Sequence, residues 1–252
     1  MRRTFLVVLV LLSAASSANA LNTGDTTVVL PVIGRFAGAF GTQWRTDVFV
    51  ANHNTVAKTV TLTFYVTGGS PLVRAVPVTP FSTLSFPDIV LNTYGLASAA
   101  GELEIASSNE SGIEARARIY NSGSAAGQFG QNVPGLGRAY LNRQSYLFGL
   151  SGISGASGSR VNVGVTNPTS ATTTVSMRIT DKNNNDLGSK TFDLAPHQNV
   201  QFNDIVAIFG FAPQSDIQVE INTFDTAIYG YASEVRNDTG DAVFIYGTSP
   251  NS

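Results

Sequence analysis

The stretch Val32–Asn52, VIGRFAGAFGTQWRTDVFVAN, returns 115 residues later as Leu147–Asn167, LFGLSGISGASGSRVNVGVTN. Gly34 falls on Gly149, Arg45 on Arg160, Val48 on Val163, Val50 on Val165 and Asn52 on Asn167. Both copies end in apolar residues at every second position, the period of a strand with one buried face. Further along, Val60, Leu62 and Phe64 fall on Val175, Met177 and Ile179. With one residue of slippage PFSTLSFPDIV (Pro80–Val90) matches PHQNVQFNDIV (Pro196–Val206), five of eleven positions being identical. Glu104-Ile105 then matches Glu220-Ile221, and Asn121 matches Asn237. A repeat of this length means that the fold is read one module at a time.

Within each module, runs rich in Val, Ile, Thr, Tyr and Phe alternate apolar with polar, as around Ala115, Ala117 and Ile119 or Tyr229 and Tyr231. Such residues suit a pleated surface. Turn signals separate the runs: Thr67-Gly68-Gly69-Ser70-Pro71, Asn183-Asn184-Asn185-Asp186 and Asn237-Asp238-Thr239-Gly240. The pattern predicts an all-β protein of two tandem antiparallel β-sandwich (immunoglobulin-like) modules. Each module holds one short helical turn, at DIVLNTYGL (Asp88–Leu96) and DIVAIFGF (Asp204–Phe211), with Asp88 and Asp204 as N-caps and Gly95 and Gly210 as terminators. The Gly-, Ala- and Pro-rich segment 123–137 joins the modules, so module one is 21–137 and module two 138–252.

The first twenty residues read as a signal peptide: Arg2 and Arg3, the apolar run Phe5–Leu12, then Ala18-Asn19-Ala20 as the small-x-small cleavage site. Cleavage after Ala20 would send the chain to the periplasm or the extracellular space. The apolar run is too short to span a bilayer, which takes about 20 residues, and no second one follows, so no membrane span is expected. Cysteine is absent, which removes disulfides, thiolate metal sites and thiol nucleophiles. The net charge of −2 offers no basic footprint for nucleic acid.

The combination of WRTDVFVAN, a later DIV…YG segment and ARIYNSGSAAGQFGQNVPG resembles a group of exported bacterial proteins. Their tandem β-sandwich modules carry an RT[DN]xxVxN strand and a YN…GxFGQxxPG segment. Module one matches through Arg45, Thr46, Asp47, Asn52, Tyr120, Asn121, Gly127, Phe129, Gly130, Gln131, Pro134 and Gly135. Module two departs, with Val161 in place of the Thr and VRNDTGDAVFIYG lacking the Gln and the Pro-Gly. The resemblance implies a β-sandwich and export. The group has no established activity, so nothing catalytic follows from it.

Candidate chemistry is sparse. The only histidines, His53 and His197, stand at unmatched places, opposite Pro168 and Phe81. No Gly-x-Ser-x-Gly elbow exists; GLSGISGASGSR (Gly149–Arg160) reads as a loop. Carboxylate sets for a glycosidase could come from Glu102, Glu104 and Glu114, or from Asp216, Glu220 and Glu234. Alternation puts Glu102 and Glu104 together opposite Leu103 and Ile105, on what reads as a solvated strand face. The run Asp181–Asp186 starts like a calcium loop. Asp186 and Phe192 then stand where an EF-hand needs Gly and Glu, so a hairpin turn is the better account of it. Trp44, the single tryptophan, and the repeated Arg45 and Arg160 are the possible ligand contacts. No catalytic residue, cofactor or metal ligand is expected. The reading is a secreted non-enzymatic structural, adhesive or surface-interaction protein with an unknown protein or glycan partner. Its alternative is a carbohydrate- or ligand-binding protein using sandwich-end loops, and a glycosidase-like hydrolase comes third.

Overall fold

The computed structural model describes residues 26–108, 112–125 and 127–249. The signal peptide and its cleavage point lie outside the described residues. The first half holds β1 (Thr27–Ala37), β2 (Gln43–Asn52), β3 (Lys58–Val66), β4 (Leu72–Val78), β5 (Thr83–Phe86), α1 (Ile89–Asn92), β6 (Ala99–Ser107), β7 (Ile113–Asn121) and β8 (Phe129–Pro134). The second holds β9 (Gln144–Gly152), β10 (Ser159–Thr166), β11 (Thr173–Thr180), β12 (Asp186–Leu194), β13 (Asn199–Phe202), α2 (Ile205–Phe209), β14 (Gln214–Thr223), β15 (Tyr229–Arg236) and β16 (Ala242–Tyr246). The fold is all-β, with antiparallel pairing throughout the ladders and sheets packed face to face as sandwiches.

In the first half one side runs β4-β3-β6-β1, and the other sets β2 between β5 and β7, with β8 beyond β7. β1 joins the two sides, because its last residues, Phe36 and Ala37, pair with Trp44 and Gln43 of β2. In the second half the sheets run β12-β11-β14-β9 and β13-β10-β15-β16, strand for strand the same order. Registers correspond too. Val48 lies between Phe86 and Ala117, and Val163 lies between Phe202 and Ala232.

The alternating apolar residues meet between the sheets. Val48, Val50, Val60, Leu62, Phe64 and Ile105 are fully buried in one half, and Val163, Val165, Val175, Met177, Ile179 and Ile221 in the other. The first core does not stop at the module boundary. Tyr231, Val235 and Ala242 of the second half belong to it, with Phe244 packed alongside. Tyr231 can lie flat in the joint because its cross-strand neighbour is Gly164, where a Cβ would stand 2.0 Å from the tyrosine ring.

The helical turns begin where expected, but their caps differ. Asp204 accepts a hydrogen bond from the Ala207 N–H at 3.4 Å, as a cap should. The Asp88 carboxylate makes no such bond. It receives the Arg35 guanidinium at 2.9 Å and lies 3.6 Å from that of Arg45. Leu150 stands in place of Arg35 in the second half, so there the carboxylate stays with its own helix.

Candidate functional site

The three possible ligand contacts divide. Trp44 is only 7 % exposed, held in the first core. Arg45 is tied down beside Asp88 and donates to the Trp44 carbonyl at 2.6 Å. Arg160 is buried and donates to Asn237 Oδ1 at 2.9 Å, with its guanidinium over the Phe40 ring. The same register therefore serves two different local networks. Trp44, Phe36, Phe40 and Arg160 nevertheless line one pocket of about 370 Å³ between the modules, which Gln131 and Asn162 also border. A second groove, of about 470 Å³, crosses module two beside Tyr146, Phe148, Arg178 and Glu220. Asn222, Gln144 and Tyr146 all donate to Glu220 Oε1, which holds that carboxyl below its ordinary range.

The loop at Asp181 is a hairpin turn. Its carboxylate is taken up by the backbone N–H groups of Asn183 and Asn185, at 2.8 and 2.9 Å, and by the Asn185 side chain at 2.7 Å. Those donors keep the Asp181 carboxyl below its usual range. His53 pairs with Glu114 at 2.9 Å on an exposed surface.

The reading of Glu102 and Glu104 as a solvated face is overturned at Glu102, while Glu104 stays partly exposed. Glu102 is completely buried, because module two covers that face of β6. Opposite Glu102, β1 slips register between Leu30 and Ile33. Pro31 sits in this bulge; it has no N–H to lose from the ladder. Its carbonyl accepts from Thr166 Oγ1 at 2.8 Å and Asn199 Nδ2 at 3.1 Å, both of module two. The turn between β12 and β13 is thereby brought against β6, and His197 comes with it. Its ring stacks on Tyr65 of module one with centroids 3.9 Å apart and planes 5° from parallel. One donor atom each from Glu102, Glu104 and His197 then lie within 4.8 Å of one another. Burial drives the Glu102 carboxyl above its ordinary range, and the carboxylate facing it raises the His197 imidazole.

Sequence reasoning missed this cluster, since its members come from different modules and His197 has no counterpart in the repeat. The only hint was the paired glutamates on one strand face.

No family model matches the chain, and no curated protein does. Among solved structures it is similar to a β-glucuronidase from glycoside hydrolase family 2, at 10% identity and a TM-score of 0.17. That alignment covers 88% of this chain and 30% of the enzyme, so the chain spans less than a third of its length. No helix among the described residues is long and apolar enough to cross a membrane.

Proposed function

We propose that this chain is an exported, non-enzymatic structural or surface-interaction protein whose two sandwiches act as one rigid body. The joint between the modules carries the reading. Tyr231 and Val235 of the second sandwich complete the apolar core of the first. Ser233 donates across the boundary to Gln131 Oε1 at 2.8 Å in a buried bond. Linked domains are expected to move relative to one another unless a large hydrophobic interface holds them, and here part of the second sandwich is built into the apolar core of the first. Trp44, which would have to be open to stack on a sugar, is instead part of that packing. A hydrolase would need its paired carboxylates open to substrate, and Glu102 has no exposed surface.

A second reading has one observation in its favour. The inter-module pocket places Phe40, 64 % exposed, beside Arg160 and several amides, a mixture suited to a small polar ligand.

The experiment is to isolate the protein from cultures, determine its first residue and assay it. A chain beginning at Leu21 that is retained saturably on intact cells and turns over neither chromogenic glycosides nor esters is expected. Turnover that disappears in Glu104→Gln would replace this function with a hydrolase. Glycan binding lost in both Phe40→Ala and Arg160→Ala would favour the pocket reading.

A further inference from the structure

We propose that Glu102, Glu104 and His197 bind one divalent transition-metal ion of the zinc type, which clamps the first sandwich to the second.

The donors are delivered by the fold rather than by chance contact. Glu102 and Glu104 share the outer face of β6, and ladder pairing sets Glu102 beside Tyr65. His197 is fixed at three points. Its backbone adopts a φ of 52°, its N–H donates to the Thr169 carbonyl at 3.2 Å, and its ring is laid on Tyr65. It cannot swing away to solvent without breaking that stack.

Glu102 points to a cation independently of the clustering. It is 0% exposed, and among the described residues neither carboxylate oxygen receives a hydrogen bond; His197 Nδ1 is buried without one as well. A buried carboxylate with no donor is heavily penalised, and proteins satisfy such groups by pairing or by metal coordination. Simple pairing would draw Nδ1 to about 2.7–2.9 Å from the oxygen in a charge-assisted hydrogen bond. The observed separation is 3.5 Å. Two donors held at about 2.1 Å from a shared tetrahedral ion stand about 3.4 Å apart. The pair therefore stands too far apart for a short charge-assisted hydrogen bond and leaves room for an ion between them, with a Glu104 oxygen within 4.8 Å of both.

The donor set selects the ion. One imidazole with two carboxylates and no thiolate suits zinc or manganese better than calcium or magnesium, which favour all-oxygen shells. Three protein donors leave a fourth position of a tetrahedral ion to solvent. Among the described residues the set occurs once, at the joint. Gln218 replaces Glu102 in the second copy, and Phe81 replaces His197 in the first, where it is 71 % exposed.

The test is zinc titration of the chelator-stripped full chain, by calorimetry and by thermal melting. One zinc per chain is expected, with Tm rising by about 5–10 °C at a hundredfold excess over Kd. His197→Ala and Glu102→Gln should abolish both effects, Glu104→Gln should weaken binding at least about tenfold, and His53→Ala should change neither. Without zinc, Glu102→Gln should melt higher than the parent chain, since it removes an uncompensated buried charge. X-ray absorption of the zinc-loaded parent chain, which needs no variant to fold, should show only nitrogen and oxygen ligands with a single imidazole. Zinc recovered well below one per chain after gel filtration would overturn the site. So would a shell with more than one imidazole, or an undiminished Tm shift in folded His197→Ala.

Discussion

Asn52 and Asn167 close the equivalent strands of the two halves in the same way. The Asn52 amide donates to the carbonyls of Val56, Val78 and Thr79 at 2.9–3.1 Å, and its oxygen accepts from the Asn54 N–H at 2.9 Å. Asn167 does so with Ala171, Leu194, Ala195 and Thr169. Each gathers two loops onto one strand end, where the backbone groups have no ladder partner. Leaving buried carbonyls without a donor costs about 1–3 kcal/mol apiece, so Asn52→Ala should lose at least about 2 kcal/mol in urea titration. Asn52→Asp should lose a comparable amount, because a carboxylate cannot donate. A loss under about 0.5 kcal/mol in both would mean that solvent replaces the amide freely. The identity of this asparagine in both copies was legible in the sequence, but the carbonyls it gathers lie 4 to 28 residues away on loops that only the fold brings together. Arg45 and Arg160 show the converse. Their register is equally clear, yet one lies beside Asp88 and the other donates to Asn237.

A strand's period reports one of its faces well and the other poorly. The inward residues of β3 and β11 followed directly from alternation, and Phe64 and Ile179 are fully buried. Phe64 packs against Tyr94 with ring centroids 5.2 Å apart, so Phe64→Ala should cost about 3–5 kcal/mol, the range for emptying an aromatic core position. A loss below about 1 kcal/mol would place the ring at a mobile edge rather than in the core. For the outer face of β6 the same alternation was misleading. Polar residues on a strand imply solvent only when nothing else covers them. The turn carrying His197 is distant in sequence and comes from the other module. The closing segment of module one poses the same difficulty. Gln131 belongs to a motif visible in the chain, yet its partner Ser233 lies 102 residues further on. Module two lacks that motif, and its equivalent strand, β16, packs against β8 instead.

At the scale of the whole molecule the two sandwiches share more than a linker. Besides Tyr231 and Val235 in the first core, Tyr229 donates to the Leu136 and Gly137 carbonyls in the connecting segment, at 3.2 and 2.9 Å. Val29 and Leu136 exchange backbone hydrogen bonds at 2.9 and 2.7 Å, so the connection itself is pinned to module one. Tyr231 is central to this arrangement. Its hydroxyl accepts from Asn199 at 2.9 Å, and Asn199 also donates to Pro31 of the first sandwich. Opening the joint would expose the first core and strip the partners from that buried polar set together, so neither half can unfold without destabilising the other. A chain of two modules should therefore melt in one calorimetric transition whose calorimetric and van't Hoff enthalpies agree. Tyr231→Ala removes the shared ring and the hydroxyl that Asn199 and Gln201 contact. It should lower the midpoint and split the trace into two transitions, the earlier belonging to module one, whose core has lost a wall. Two separate transitions in the unmodified chain would show that each sandwich is stable alone, and that the joint holds them in place without coupling their folding.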